Sequence, residues 1–235
     1  MNFLEAPFKV AKRVARITAG RDVYIPKQVD CSVIYLGNVG TSWPVCPEVL
    51  LDQPLIYSFG VGEDVSFDLE MIRRFHATIH AFDPTPRSIA WIASQRLPAS
   101  FHFHPCGIAD RDGVCSFLPP ANPAHVSHTM IARESASPPL ELPVKRMRSF
   151  LAELHHSRID LLKMDIEGAE YAVIDDLVAS GIVVKQLLVE FHHRWKEVGV
   201  SKTKHAVRKL NAAGYRIFAV SPNGEEYGFL NFDTR

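Results

Sequence analysis

The ten residues Leu161-Leu162-Lys163-Met164-Asp165-Ile166-Glu167-Gly168-Ala169-Glu170 constrain this chain more than any other stretch. The apolar run from Ile159 to Met164 is long enough for a buried strand; it stops at an acidic cluster, and helix-forming residues begin at Ala169. In an open α/β sheet, ligands gather where strands deliver their carboxyl ends into a crevice. A strand ending in Asp-x-Glu-Gly therefore reads as one that carries carboxylates to a site. The same residues also suit a plain helix entry, in which Glu167 and Glu170 are favoured by the helix dipole.

The surrounding pattern favours a site. Residues 55–59 read as a strand and 66–75 as a helix with Phe67, Leu69, Ile72 and Phe75 apolar. Strand 78–82, helix 87–96 and strand 101–106 follow. After an interruption the alternation resumes with strand 159–164, helix 169–179, strand 186–191 and helix 202–213. Two last apolar runs, 215–220 and 227–232, flank Asn223-Gly224 and read as a hairpin. Strand–helix–strand alternation implies parallel strands with right-handed crossovers. The predicted fold is α/β: a doubly wound, mostly parallel, seven-stranded sheet ending in an antiparallel hairpin. Within the interruption, 114–118 and 140–144 look extended and 147–155 helical. Residues 119–139, rich in Pro, Ser, Ala and His, form a long irregular insert of the kind that is usually functional or mobile.

At 235 residues, the chain is one large domain or one domain with a terminal extension. Residues 3–18 have apolar positions at helical spacing, with Lys9, Lys12, Arg13 and Arg16 between them. Such a basic amphipathic helix packs one face on its own domain or lies on a membrane surface. Gly37, Gly40, Pro44, Pro47 and Pro54 then punctuate the chain. Residues 1–54 are thus expected to be an extension or lid, and 55–235 the main domain. A formal net charge of zero offers no general drive toward nucleic acid. No apolar run approaches a membrane span, and no signal peptide is apparent. Cys31, Cys46, Cys106 and Cys115 form no C-x-x-C pair, which points to a reducing, cytoplasmic setting.

Several strand ends carry residues suited to a nucleotide. The first strand runs into Gly60-Val61-Gly62-Glu63-Asp64 and then a helix, so backbone can approach a ligand closely beside a helix N-terminus. The second ends in Asp83-Pro84; Asp83 lies 23 residues beyond Gly60, close to the roughly 20-residue spacing at which an acid meets ribose hydroxyls. The third ends at Cys106-Gly107-Ile108, where small and apolar residues can flank an adenine ring. A tight turn at the glycines and a helix start at Asp83 are the plainer explanations.

In order along the chain, Gly60-Val61-Gly62, Phe82-Asp83-Pro84, the Leu162–Glu170 block and Leu188-Val189-Glu190-Phe191-His192 together resemble the FkbM family of S-adenosylmethionine-dependent methyltransferases. Tyr57 to Asp64 and Glu190-Phe191-His192-His193 are similar to its methyltransferase-like subgroup. The resemblance covers residues 55–220; the Lys163–Glu170 block is its most specific part. It implies a class I methyltransferase fold of Rossmann-like type and, commonly, O-methylation of a hydroxyl on a sugar, glycolipid or polyketide-like secondary metabolite. Ser58 stands where the family often has an acid, Asp64 where it has a small residue, and Asp83 where Glu is common.

On this reading the cofactor-binding residues are Gly60, Gly62, Glu63, Asp83, Pro84, Ile108 and Asp165. Methyl transfer is an in-line displacement that needs an aligned oxygen and a proton acceptor. Asp165 is the first candidate near the methyl group. Glu190 and His192 share a face of the next strand and are the other catalytic candidates, His192 because its ordinary pKa lies near neutrality. Asp165, Glu190 and His192 would also make a mixed oxygen and nitrogen set for a divalent ion. Carboxylates beside a cationic cofactor have reason enough to exist, so a divalent metal is possible but not favoured. The pairs His102/His104 and His125/His128 are read as packing or loop residues. The alternative is a catalytically inactive nucleotide- or S-adenosylmethionine-binding module, kept open by Ser58 and Asp64. An oxidoreductase fits poorly without the full glycine fingerprint. A lipid-linked acceptor would give the basic helix a role as a surface anchor.

Overall fold

The computed structural model describes residues 5–119, 129–131 and 138–233, with side chains from residue 11 onward. Most of the 119–139 insert, including His125 and His128, lies outside the described residues.

After helix α1 (Glu5–Thr18) comes a two-stranded ribbon, β1 (Ile34–Leu36) and β2 (Trp43–Val45). The main alternation is β3 (Leu55–Phe59), α2 (Ser66–Phe75), β4 (Thr78–Phe82), α3 (Pro86–Ala93) and β5 (Phe101–His104). The interruption holds β6 (Gly107–Ile108), β7 (Gly113–Phe117), β8 (Leu140–Lys145) and α4 (Met147–Glu153). Then follow β9 (Ile159–Met164), α5 (Glu170–Ala179), β10 (Val184–Glu190), α6 (Val200–Ala212), β11 (Tyr215–Val220) and β12 (Glu226–Asn231).

Seven strands form one sheet in the order β11-β12-β10-β9-β3-β4-β5. All neighbours from β10 to β5 pair in parallel, whereas β12 runs antiparallel to both β10 and β11. This is the doubly wound class I methyltransferase arrangement with its terminal hairpin. Every residue of β9 is buried, as a central parallel strand covered on both faces requires. Alternate residues feed two apolar layers: Ile56, Leu161 and Leu188 one, Tyr57, Leu162 and Val189 the other.

The winding reverses between β3 and β9. From β3 the chain moves outward through β4 and β5; from β9 it moves the other way through β10. The carboxyl ends of these two strands, Gly60 and Asp165, therefore flank the topological switch point, where such sheets open a crevice.

The structure corrects several boundaries. The third strand ends at His104 rather than Cys106, because Pro105 cannot donate to the ladder. Gly107 and Ile108 instead pair with β8, which also pairs with β7, in a separate three-stranded sheet. Helix α3 begins earlier than expected, at Pro86, because the Thr85 side chain caps Ser88 N and Pro suits the first helical position.

The described part of the extension packs into the domain. Leu36, Trp43, Val45 and Cys46 pack in the same apolar layer as Ile56, Met71 and Phe218. The buried Gln186 side chain on β10 accepts from Cys46 N at 2.8 Å and donates to Cys46 O at 3.2 Å. Asp22, wholly buried at its side chain, accepts from His193 Nε2 at 2.9 Å and Arg194 Nη2 at 2.6 Å. Arg13 donates to Ser221 O and Val23 O, each at 3.3 Å, so α1 sends one of its basic residues inward.

Candidate active site at the switch point

Backbone approaches backbone most closely at Gly60. Its φ is +76°, and a Cβ there would lie 1.7 Å from the carbonyl oxygen of Asp165. Only glycine fits between the two strand ends. Gly62, also left-handed at φ +53°, donates its N–H to Asp83 Oδ2 at 3.0 Å. The other carboxylate oxygen of Asp83 accepts from Thr85 N at 2.9 Å and Thr85 Oγ1 at 2.6 Å. Asp83 thus joins the glycine turn to the start of α3. Glu63 forms a two-pronged pair with Arg87, at 2.9 and 2.8 Å, across the outer edge of this turn. The Arg87 hydrogen bond holds the Glu63 carboxyl below its ordinary pKa.

A cavity of about 350 Å³ opens here. Gly60, Gly62, Glu63, Asp83, Pro84, Ile108 and Asp165, the residues expected to meet a cofactor, all line it. Glu190 and His192 do not; they stand behind Asp165.

The extension and the insert, expected to shape the pocket, contribute further wall residues. Thr41 and Trp43 come from the extension and Met130 from the insert. Asp64 explains how the extension reaches the site. One of its oxygens caps α2 at Ser66 N (2.8 Å), and the other accepts from Thr41 Oγ1 (2.7 Å). Lys163 reaches under the glycine turn to Gly60 O at 3.5 Å, with its ammonium 5.0 Å from the centre of the Trp43 ring. Nearby lies the buried Asp68, whose pKa burial pushes up to about 6 against the pull of Lys163 and the Ser58 hydroxyl.

The acidic end is shaped by a sharp turn. Glu167 and Gly168 are both left-handed, at φ +53° and +94°. This conformation is costly at Glu167, and it turns the Glu167 carboxylate back toward His192. Glu170, fully buried, accepts from Gly168 N at 2.8 Å and from His192 N at 3.0 Å, and lies 3.2 Å from His192 Nδ1. His192 Nε2 faces Glu167 Oε2 at 3.3 Å and Asp165 Oδ1 at 3.9 Å. Glu170 could have been found from its three-residue spacing to Glu167; its burial could not.

These contacts correct the reason for choosing His192 as a base. Burial opposes charge on the ring, but Glu167 and Glu170 outweigh it and raise its pKa well above the ordinary value. In this arrangement the flanking carboxylates favour the charged form of the imidazole. Burial raises the Asp165 pKa, and burial together with the adjacent Asp165 pushes Glu190 up to about 10.

With this geometry in place, the chain can be compared with known proteins. It is 27% identical over 217 residues to the probable methyltransferase-like protein 24 of Rattus norvegicus, covering 81% of this chain and 53% of that one. With the human counterpart it shares 27% over 195 residues, covering 75% and 47%. The chain thus spans about half the length of the curated relatives it matches. A crystal structure of methyltransferase FkbM from Methylobacillus flagellatus KT superposes with a TM-score of 0.47 at 10% identity, covering 76% of this chain and 44% of that one. The Methanococcus jannaschii fibrillarin pre-rRNA processing protein gives 0.47 at 11%, covering 89% and 86%. The model of the methyltransferase FkbM domain matches residues 50–217, most of the chain, and the chain belongs to that family.

Proposed function

We propose that the protein is an S-adenosylmethionine-dependent O-methyltransferase whose acceptor is a hydroxyl on a sugar, glycolipid or secondary metabolite. The observation that carries this reading is the single cavity running from the Gly60–Gly62 turn and Asp83 to the carboxylate of Asp165. The residues present fit the cofactor. Gly60 lets the two strand ends meet with bare backbone at the cavity wall, and Asp83 keeps about one carboxylate lone pair for a ribose hydroxyl beyond those used by Gly62 and Thr85. Pro84 and Ile108 offer apolar surface to the adenine, and Glu63 closes the rim with Arg87.

The cofactor supplies an electrophilic methyl group on a sulfonium. The chain's own task is to align the acceptor oxygen and take its proton. Asp165 lines the cavity at the end of β9, and its burial makes the carboxylate a stronger base than an exposed one. With the cofactor bound, Asp165 would accept the proton of the attacking hydroxyl as methyl transfer proceeds. Glu190 and His192 act from behind, fixing the charge around Asp165. The family resemblance supports a carbohydrate-like or lipid-linked acceptor, and Thr41, Trp43 and Met130 would shape its entrance.

The setting belongs to the same proposal: cytoplasmic, suited to four free thiols, with peripheral membrane contact through α1. Among the described residues, no helix is long and apolar enough to cross a membrane. If deleting residues 1–18 left liposome co-sedimentation unchanged, the membrane contact would be ruled out.

Calorimetric titration with S-adenosylmethionine and S-adenosylhomocysteine, with NAD as control, tests the central reading. Micromolar binding of the first two supports it and leads to acceptor screening. Failure of both with folded protein sinks it and favours an inactive interaction module.

A further inference from the structure

The cavity ends at a group of side chains that methyl transfer alone does not account for. Asp165 closes β9 and Glu190 closes the adjacent β10, with the paired residues Met164 and Val189 just before them. His192 follows on the same face. One ligand atom from each of Asp165, Glu190 and His192 lies within 4.8 Å of the others. Two carboxylates and an imidazole thus converge from neighbouring strand ends.

Two further observations separate this group from an ordinary acidic patch. The first is the way His192 is held. Its side chain is 8% exposed, and the wholly buried carboxylate of Glu170 sits 3.2 Å from Nδ1. The same carboxylate also takes the His192 backbone N–H at 3.0 Å. One ring nitrogen is therefore held by Glu170, while the other lies 3.3 Å from Glu167 Oε2 and 3.9 Å from Asp165 Oδ1. A buried carboxylate behind the far nitrogen is how proteins orient an imidazole toward a metal ion. The second is Asp165: its Oδ1 is a buried atom that meets no cationic or amide donor among the described residues, and its carboxyl interacts with that of Glu190. The nearest lysine does not fill that role, since the Lys163 ammonium is directed to Gly60 O and the Trp43 ring.

We propose that Asp165, Glu190 and His192 bind one divalent cation at the acceptor end of the cavity. A set of two carboxylates and one imidazole suits a first-row ion such as Mn²⁺ or Zn²⁺ better than Ca²⁺ or Mg²⁺, which favour all-oxygen surroundings. Three protein ligands would leave coordination positions open, and of the three it is Asp165 that lines the cavity. An acceptor hydroxyl reaching the ion would lose its proton more readily; this last part rests on the methyl-transfer reading, the ion site does not.

The test uses the full chain, stripped with EDTA and dialysed, then titrated with Mn²⁺ alone by calorimetry and by the loss of the free-ion electron paramagnetic resonance signal. The expected result is one site per chain, a melting temperature raised by the ion, and at least tenfold weaker binding in Glu190→Gln and His192→Gln. Asp175→Asn, a surface control, should bind as the parent does. Metal-free Glu190→Gln should melt no lower than the parent, because a neutral amide replaces a carboxyl that burial beside Asp165 already keeps neutral; this separates a lost ligand from a lost fold. Absence of a stoichiometric site, or binding unchanged in both variants, would overturn the proposal. S-adenosylmethionine is titrated separately in EDTA. Mn²⁺ binding without cofactor binding upholds the ion site and refutes methyl transfer; cofactor binding without Mn²⁺ binding does the reverse.

Discussion

Gly60→Ala measures how tightly the two strand ends meet. The added Cβ would stand 1.7 Å from Asp165 O, and no real Cβ contact falls under 3.0 Å, so the backbones must part by at least the difference, 1.3 Å. The obstacle is main chain that is itself anchored, because Asp165 N donates to Phe59 O at 3.1 Å and Gly60 N to Phe82 O at 3.0 Å. A left-handed alanine costs about 1–2 kcal/mol wherever it occurs, and forcing apart a packed region adds about 1–3 kcal/mol. Gly181→Ala isolates the first contribution: Gly181 has φ +65° and nothing within 4 Å of its would-be Cβ. At roughly 2–4 °C per kcal/mol for a domain of this size, Gly60→Ala should melt about 2–12 °C below Gly181→Ala. It should also lose cofactor binding, which Gly181→Ala should keep. Scanning calorimetry and titration on both variants decide it. Equal melting temperatures would refute the close approach and, with it, the cradle assigned to the Gly60 turn.

Asp83→Ala should weaken S-adenosylmethionine at least tenfold by titration while the protein stays folded, since the residue supports the glycine turn and lines the cavity; unchanged affinity would remove it from the site. Gln186→Leu should lower urea-unfolding stability by about 2–4 kcal/mol, because both backbone groups of Cys46 lose their buried partner. His80 gives a pH prediction. Burial, helped by His104, His156 and His102, lowers its pKa from 6.5 to about 3. Above pH 6.5 both folded and unfolded states leave it neutral. As pH falls from 6.5 toward 3 the unfolded chain takes up a proton that the folded one refuses, so stability drops by about 1.4 kcal/mol per pH unit. His80→Leu should flatten that slope in urea titrations between about pH 7 and about pH 5, and an unaltered slope would show that His80 is not its source.

The strands that build the crevice were readable because their signals are local. The continuous apolar run of β9, the glycines after β3 and the Asp83-Pro84 stop after β4 each occupy a few adjacent residues. The early end of β5 was equally available in Pro105, whose missing N–H forbids the pairing assigned to Cys106. What the sequence did not reveal depends on distant partners. Nothing near Gln186 announces Cys46, and nothing near Asp22 announces Arg194. Strand parity put Glu190 and His192 on one face. The charge on that imidazole depends instead on a left-handed turn at Glu167 and on the burial of Glu170, and neither has a one-residue signature.

The two departures from the family pattern acquire physical roles in the fold. Asp64 stands where a small residue was expected, and its carboxylate fastens Thr41, on the same segment as the cavity-lining Trp43, over the glycine turn. A small residue there would leave that segment without this anchor. Ser58 removes a carboxylate from β3, but the helix that follows returns one: Asp68 is buried beside Ser58 and within the field of Lys163. The negative charge beneath the turn has moved from strand to helix, and Lys163 keeps a counter-ion. Neither residue fills the space between Asp83 and Asp165. The features that kept the inactive-module reading open are therefore accommodated by the same fold that forms the cavity, and the argument for a working site rests on that accommodation as much as on the motif.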